Sequence, residues 1–317
     1  MGETKYKRLG STGLRISAVC LGSNNFGEQV NQENSIKIIK KAIDLGINII
    51  DTANQYTKGK SEEVIGKAVR DYREDIILAT KVGFPVHQEP NGSGLSRKHM
   101  FSEIRRSLER LQTDYIDIYY LHRPDPETPL EESLRTMNDL VRQGKVRYAA
   151  CSNFTAWQTA KANGICETLG LEKLVAVQPR YNLLMRDIER DLLPYCQEEG
   201  LGVLTYSPLM GGFLTGKYNR NTPPPVKSRA KYNAKYWQRV KDEANFVVLE
   251  RIRSVAKSAG IPLSQLALAW IMKNPAVTAP IVGGSKPEHV EQACQALEID
   301  ISEENRRKLD EATTPSQ

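Results

Sequence analysis

The fold of this chain is decided by residues 46–81, which read GINIIDTANQYTKGKSEEVIGKAVRDYREDIILATK. Residues 47–50 form a short apolar run that predicts a buried β-strand, residues 62–70 predict an amphipathic helix, and residues 76–79 predict a second strand. When a helix connects two neighbouring strands, the strands run parallel, because the helix returns the chain to the end at which the first strand began. The stretch is therefore predicted to be a β-α-β unit whose strands lead into Asp51 and Lys81.

The same alternation repeats along the chain. Further strands are predicted at residues 18–21, 115–121, 146–151, 174–177, 202–205 and 279–282, with amphipathic helices between them. Eight such units in about 250–320 residues are typical of a barrel rather than an open sheet. We therefore predict an α/β fold: a single (β/α)8 TIM-barrel domain over residues 1–317. An N-terminal β-hairpin precedes the barrel, and a long basic loop and an extra helix follow its seventh strand, at residues 211–241 and 242–260.

The composition limits the possible classes of protein. Of 317 residues, 40% are hydrophobic and 26% are charged, so the chain can bury a large core and is not predicted to be disordered. No apolar run approaches the ~18 residues of a membrane span, and the first residues lack the apolar region of a secretory signal. The five cysteines and four histidines are widely spaced. This spacing predicts reduced thiols in a cytoplasmic protein and no metal site.

Positive charge is concentrated in one segment. Residues 210–241 contain eight Lys or Arg residues and no Asp or Glu, whereas the net charge of the whole chain is +6. One interpretation is a solvated, mobile loop, and the other is a loop that wraps a polyanionic small molecule. A nucleic-acid surface is not predicted, because such surfaces spread their basic residues over several elements and no recognition motif is present.

Polar side chains stand at the ends of the predicted strands. Asp51, Lys81 and His122 each follow an apolar strand, and Tyr56 comes five residues after Asp51. The active site of a (β/α)8 barrel is built from the carboxyl ends of its strands, so these four side chains are predicted to share one cavity. Each alone could cap a loop or fill the core, but their convergence favours a catalytic site.

The motifs at these strand ends resemble those of the aldo-keto reductase superfamily. Residues 46–56 resemble its signature with the catalytic Asp and Tyr, and residues 79–81 and 120–122 resemble the strands that carry its Lys and His. The Ser152-Asn153 pair and residues 206–209 resemble its nicotinamide-binding elements. The resemblance covers residues 6–309, within the branch of bacterial general reductases and β-subunits of voltage-gated potassium channels. It implies reduction of an aldehyde or ketone with NADPH.

The four residues also suit carbonyl reduction on chemical grounds. A free tyrosine has a pKa near ~10 and is a weak acid until its phenolate is stabilised. The Lys81 ammonium would lower the pKa of Tyr56, and Asp51 would keep that ammonium charged and oriented. A neutral His122 could donate a hydrogen bond to the carbonyl oxygen. No side chain carries a hydride, so a cofactor is required, and NADP(H) is predicted.

The cofactor is predicted to bind along the remaining strand ends and the basic loop. The Tyr206 ring offers a flat face for the nicotinamide, whereas Lys217 and Arg229 offer positive charge where barrels commonly bind phosphate. The predicted cofactor-binding residues are Ser152, Asn153, Gln178, Tyr206, Ser207, Leu209, Gly211, Lys217, Arg229, Gly283, Ser285, Lys286, His289 and Gln292.

The helix after the last strand bears on the choice of cofactor. Lys286, expected in its first turn within a Ser285-x-x-Glu288 capping box, is predicted to bind the 2′-phosphate and to favour NADPH over NADH. Members of the superfamily often carry Gln or Arg, Glu and Asn in this helix, whereas this chain has His289, Gln292 and Ala293. The loss of those groups argues against tight adenine binding but not against the reaction.

The substrate is expected to be a small carbonyl compound whose pocket includes Asn25, Phe26 and Trp237, whereas Trp157 and Trp270 are expected in the core. An NADPH-binding redox-sensing subunit with slow turnover is the alternative function, although channel-type proteins usually carry an arm before the barrel. A P-loop at residues 211–217 is disfavoured, because residue 218 is Tyr where Ser or Thr would bind Mg²⁺. A homo-oligomer is possible, but no sequence feature predicts one.

Overall fold

Strands and helices alternate along residues 6–226 and 228–313, the part of the chain that the computed structural model describes. Its ten strands are β1 (Tyr6–Arg8), β2 (Arg15–Ser17), β3 (Cys20–Gly22), β4 (Ile49–Asp51), β5 (Ile77–Val82), β6 (Ile116–Leu121), β7 (Val146–Ser152), β8 (Ala176–Gln178), β9 (Gly202–Thr205) and β10 (Ala279–Gly283). Its twelve α-helices are α1 (Gln32–Asp44), α2 (Lys60–Val69), α3 (Arg97–Leu111), α4 (Leu130–Arg142), α5 (Ala156–Leu169), α6 (Leu192–Glu198), α7 (Arg229–Tyr232), α8 (Ala234–Val240), α9 (Glu243–Ala259), α10 (Leu263–Met272), α11 (Pro287–Gln295) and α12 (Glu303–Thr313).

Strands β3 to β10 form a closed parallel barrel in chain order. The barrel closes where β10 pairs with β3, with Val282 opposite Leu21 and Gly283 opposite Gly22. The approach is close, because a Cβ on Gly22 would lie 2.7 Å from the Ile281 side chain. The predicted (β/α)8 barrel is confirmed, with helices outside and a separate N-terminal hairpin of β1 and β2.

The hairpin closes the end of the barrel at which the strands begin. Its Leu9 and Ile16 are fully buried and pack with the side chains that fill the barrel interior. The turn contacts the start of β9, where the Ser11 backbone N–H donates to the Gly200 carbonyl at 2.7 Å. Because the hairpin covers this end of the barrel, only the opposite end, where the strands finish, is open to a ligand.

Strand alternation places the polar residues in the barrel mouth. Ile49, Ala79, Tyr120 and Ala176 all belong to the buried cluster inside the barrel. Side chains two residues apart on a strand point to the same face. The next inward positions are therefore those of Asp51, Lys81, His122 and Gln178, which form a polar layer above an apolar one.

The basic segment after β9 is more ordered than the predicted loop. Helices α7 and α8 lie within it, and α9 is the extra helix expected at residues 242–260. Tyr236 of α8 is buried, and its hydroxyl donates to the Met210 carbonyl at 2.7 Å. This bond ties the segment back to the end of β9. Lys227, like residues 1–5 and 314–317 of the predicted domain, lies outside the described residues.

The two tryptophans expected in the core differ. Trp270 of α10 is buried, as predicted, and its ring lies 5.2 Å from that of Tyr181. The prediction for Trp157 is wrong, since its side chain is 64% exposed. Helix α5 buries Thr159, Ala162 and Cys166 on one face, and Trp157 lies on the opposite side of the helix.

No single helix in the described ranges has the length and apolar composition needed to cross a membrane. Helices α9 and α10 meet those limits only when taken together, and the pair is bent by 94°.

Candidate active site at the barrel mouth

A buried ion pair forms the base of the candidate site. The Lys81 ammonium donates to Asp51 Oδ1 at 2.5 Å and to the Thr52 carbonyl at 2.6 Å, and both charged side chains are almost completely buried. Burial alone would lower the pKa of Lys81, but the Asp51 carboxylate and the Tyr56 phenol outweigh it and raise the pKa above its usual value. Lys81 therefore stays positively charged.

Tyr56 lies above this pair. Its ring centre is 5.1 Å from the Lys81 Nζ and 6.0 Å from the His122 ring. Burial raises the pKa of Tyr56, and the Lys81 charge opposes the rise. The phenol is therefore protonated at neutral pH, and Lys81 is placed to stabilise the phenolate left when that proton is transferred.

The Tyr56 loop is fixed by contacts that the sequence did not predict. Asn54 donates to Glu103 Oε2 on α3 at 2.9 Å, and both residues are buried. The Asn54 backbone N–H donates to the Lys81 carbonyl at 3.3 Å. Three residues after the end of β4, the chain is thus anchored to both the barrel and the helix behind it.

His122 is a neutral imidazole at the same mouth. The residue is 6% exposed, and its ring contacts Phe84 edge to face, with ring centres 4.5 Å apart. Burial, the Lys81 charge and the Arg123 charge lower the pKa of His122 to about 2. A neutral imidazole keeps one N–H, which can hydrogen-bond a carbonyl oxygen without transferring a proton to it.

Gln178, predicted to bind the nicotinamide, contacts the Asp51–Lys81 pair. Its Nε2 donates to Asp51 Oδ2 at 2.7 Å, so both carboxylate oxygens of Asp51 are held. Ser152 of the neighbouring strand donates to the Gln178 carbonyl at 2.8 Å. The sequence indicated that these strand ends converge, but not which amide would face the carboxylate.

Asn153 and Tyr206 form a second polar contact across the mouth. The Tyr206 hydroxyl donates to Asn153 Oδ1 at 2.8 Å, and Asn153 Nδ2 donates to the His122 carbonyl at 2.9 Å. Asn153 and Ser207 both have left-handed backbones, with φ of 61° and 55°. Such conformations are uncommon outside glycine and cluster at functional sites. The Tyr206 ring is half-buried, and the Arg180 guanidinium carbon lies 5.5 Å from its centre.

A cationic cradle follows β9. Gly211 and Gly212 both have left-handed φ angles, and a Cβ on Gly212 would lie 2.8 Å from the Lys217 Nζ. A Cβ on Gly211 would lie 3.0 Å from the Arg229 side chain. Two glycines thus expose backbone between two cations, an arrangement that fits a phosphate group. Leu209, also predicted here, is half-buried against the core.

Lys286 lies close to this cradle, at the start of α11. The Lys217 and Lys286 charges, after burial, lower the pKa of His289. Both ammonium groups are therefore near one imidazole. Ser285 and Gly283 are exposed beside Lys286, whereas Gln292, one turn along α11, is exposed and engages Gln265 only through its backbone carbonyl.

The predicted start of helix α11 is wrong. Lys286 is the residue before the helix rather than part of its first turn, and Ser285 forms no capping box with Glu288. Pro287 fixes the backbone angle of the first helical position, so it starts the helix there. The Ser285 backbone N–H instead donates to His289 Nδ1 at 3.2 Å.

The predicted substrate pocket requires one correction. Phe26 is completely buried in the core between the barrel and its helices, so it does not line an open pocket. Asn25 does lie at the mouth, where its Nδ2 donates to the Gly284 carbonyl at 3.2 Å. Trp237 is half-buried, with its ring 5.6 Å from that of Tyr218. Phe84, which the sequence did not single out, is the aromatic ring that contacts His122.

Comparison with known proteins agrees with this geometry. The Aldo/keto reductase family profile matches residues 18–314. A Schizosaccharomyces pombe protein named as a candidate voltage-gated potassium channel β-subunit is 40% identical over 96% of this chain and 92% of its own length. An aldo-keto reductase of Fusarium vanettenii is 35% identical over 98% and 91%, and an uncharacterized oxidoreductase of Bacillus subtilis is 38% identical over 97% and 95%. The barrel and its site are those of an oxidoreductase. The chain belongs to the aldo/keto reductase family.

Proposed function

We propose that this protein uses NADPH to reduce an aldehyde or ketone to an alcohol in the cytoplasm. The observation that carries the proposal is the buried Asp51–Lys81 pair placed under a protonated Tyr56 and beside a neutral His122. This set combines an acid, a charge that stabilises its conjugate base, and a hydrogen-bond donor for a carbonyl oxygen. All five cysteines are free thiols, which suits a reducing compartment.

The chain's own residues would handle the proton and the orientation of the substrate. His122 donates a hydrogen bond to the carbonyl oxygen and sets its angle. Tyr56 transfers its phenolic proton to the same oxygen as negative charge develops there, and Lys81 stabilises the resulting phenolate. Asp51, held by Gln178, keeps the Lys81 ammonium in place. The bound cofactor supplies the hydride.

The residues at the mouth fit NADPH. The half-buried Tyr206 ring suits stacking on a nicotinamide ring, and the Asn153 amide lies at the same mouth for its carboxamide. The Gly211-Gly212 segment with Lys217 suits the pyrophosphate, because two residues without side chains let a phosphate group approach the backbone beside the Lys217 cation.

Cofactor choice is predicted to depend on Lys286. We expect Lys286→Ala to weaken NADPH binding about tenfold and to leave NADH binding nearly unchanged, because one charged contact to the 2′-phosphate is lost. Lys217→Ala is the matched control and should weaken both cofactors, since both carry the pyrophosphate. Fluorescence titration measures both affinities. Equal losses of NADPH and NADH in Lys286→Ala, or a wild-type preference for NADH, would contradict the assignment.

The low pKa of His122 predicts a pH profile without a histidine ionisation. Because His122 is neutral above about pH 2, kcat/KM should show no inflection near pH 6.5 that belongs to this residue. NMR titration checks the assignment, with the His122→Asn variant identifying the signal. A His122 signal that titrates between pH 5 and pH 8 would mean that the ring is not held neutral.

The direct test is a panel of aldehydes and ketones, including 4-nitrobenzaldehyde, assayed by loss of NADPH absorbance with the alcohol product identified. Steady-state reduction with kcat above about 1 s⁻¹ would support the enzyme. The second candidate is an NADPH-binding redox-sensing subunit, which the names of several relatives favour. Tight NADPH binding with turnover well below about one per minute across the panel would support that alternative.

A further inference from the structure

An arginine lies beside the reacting end of the site. Arg123 directly follows His122, and its guanidinium carbon lies 4.6 Å from the centre of the Phe84 ring. The same ring contacts His122 at 4.5 Å, so one aromatic ring connects the imidazole to the guanidinium. Arg123 is also a cause, after burial and Lys81, of the low pKa of His122. Its charge therefore reaches the place where a carbonyl oxygen would bind.

The guanidinium of Arg123 is exposed and forms no ion pair among the described residues, although its charge helps to lower the pKa of Asp125. Within residues 6–226 and 228–313, no carboxylate lies within ion-pair distance of it, and it donates no hydrogen bond to another side chain or to the backbone. The carboxylate of Asp125, two residues further along the chain, hydrogen-bonds other groups: its Oδ2 accepts from the Leu95 N–H and the Thr128 hydroxyl, both at 2.7 Å. The five N–H donors of Arg123 are thus available to a ligand.

The segment that carries Arg123 is held firmly. The His122 backbone N–H donates to the Val82 carbonyl at 2.8 Å, and Asp125 Oδ1 accepts from the Glu127 N–H at 3.1 Å. Prolines at positions 124, 126 and 129 further restrict the backbone. A cation fixed in this way needs little reorganisation to bind an anionic group.

We propose that Arg123 is a specificity-determining residue that selects carbonyl substrates carrying a carboxylate. This inference rests on the proposed reductase function. A guanidinium matches the two oxygens of a carboxylate in a bidentate contact, and the Phe84 ring beneath it would pack on the carbon chain between the carboxylate and the carbonyl. The carbonyl oxygen would then lie at His122 and Tyr56, and the anionic end at Arg123.

The test compares acids with their neutral esters. The probes are 3-carboxybenzaldehyde and 4-carboxybenzaldehyde, which place the carboxylate at two distances from the carbonyl, and the methyl ester of each. The wild type should show a higher kcat/KM for at least one acid than for its ester. Arg123→Gln should lower kcat/KM for that acid about tenfold or more, chiefly through KM, while its ester changes less than about twofold.

The matched control removes the same charge elsewhere. Arg142 is exposed at the far end of α4, away from the mouth, so Arg142→Gln should leave both substrates unaffected. Arg123→Lys should recover part of the acid preference, since it restores charge without the bidentate fork. Equal losses of acid and ester in Arg123→Gln, or a wild type that prefers both esters, would overturn the inference while reductase activity stands. Failure to reduce any of the four aldehydes would instead count against the proposed function.

Discussion

Tyr56→Phe is expected to lower the rate of carbonyl reduction by about three orders of magnitude while leaving NADPH affinity within about twofold of the wild type. The substitution removes the only proton that the Tyr56 ring can donate. The cationic cradle at Gly211 and Lys217 lies on a different loop and is not affected. Stopped-flow measurement of NADPH oxidation gives the rate, and fluorescence titration gives the affinity.

The chain offers a matched control for this phenol. Tyr120 lies opposite Lys81 in the β5–β6 pairing, and its hydroxyl is buried with no hydrogen-bond partner among the described residues. Tyr120→Phe therefore removes a hydroxyl of the same kind from the same barrel and should leave the rate within about twofold. Reduction by Tyr56→Phe at the wild-type rate would show that the proton comes from another group.

Lys81→Met is expected to lower both activity and stability. Without the ammonium, nothing offsets burial of the Tyr56 phenolate, so kcat should fall at least about a hundredfold. The Asp51 carboxylate would also be left buried and unpaired, which typically costs about 3–5 kcal/mol of the free energy of unfolding. Burial raises the pKa of Asp51 and Lys81 opposes that rise, so the variant carboxyl should bind a proton more readily.

The direction in which the stability of Lys81→Met changes with pH distinguishes an unpaired Asp51 carboxylate from a nonspecific loss of stability. A carboxyl whose pKa is higher in the folded state than in the unfolded state contributes stability that is lost as pH rises, so Lys81→Met should be less deficient at pH 5 than at pH 8. The double variant with Asp51→Asn removes the buried charge and should regain most of the stability but none of the activity. Denaturant unfolding at pH 5 and pH 8 measures the stability of the single and the double variant, and the NADPH assay measures their activity. A stability deficit independent of pH and not relieved by Asp51→Asn would contradict the ion-pair account.

The barrel and the convergence of the four polar residues at its mouth could be predicted because both follow from short-range patterns. Each strand is an apolar run of fixed direction, and in a parallel barrel all such runs end at one mouth. Asp51, Lys81 and His122 were therefore predicted to converge without any knowledge of the distances between them. Tyr56 was predicted with them because it follows Asp51 by only five residues.

The remaining details depend on side-chain packing, which the sequence pattern does not specify. Nothing in the sequence distinguishes Phe26, which is buried, from Phe84, which contacts His122. Trp157 is apolar but lies on the outer side of its helix, and a single aromatic residue does not indicate which face is buried. Gln178 could have turned toward a ligand or toward Asp51, and only the three-dimensional arrangement determines which.

The position of Arg123 also could not be interpreted from the sequence pattern. An arginine after a strand end is more often a solvated charge than a ligand-binding residue. Its significance comes from what surrounds it: the Phe84 ring on one side, His122 before it, and an Asp125 that is already occupied. None of these contacts is between residues of regular spacing, so no periodicity could reveal them.

The most direct test of the central claim follows the transferred hydride with a deuterium label and tests the source of the proton with the Tyr56→Phe variant. The wild type is given NADPH deuterated at the reactive position of the nicotinamide C4, with 4-nitrobenzaldehyde, and the alcohol is analysed by mass spectrometry and NMR. The account predicts one deuterium on the carbinol carbon at a steady-state rate, and loss of that labelled product when Tyr56→Phe replaces the wild type. Alcohol without deuterium at carbon, or equally fast labelled product from Tyr56→Phe, would contradict it.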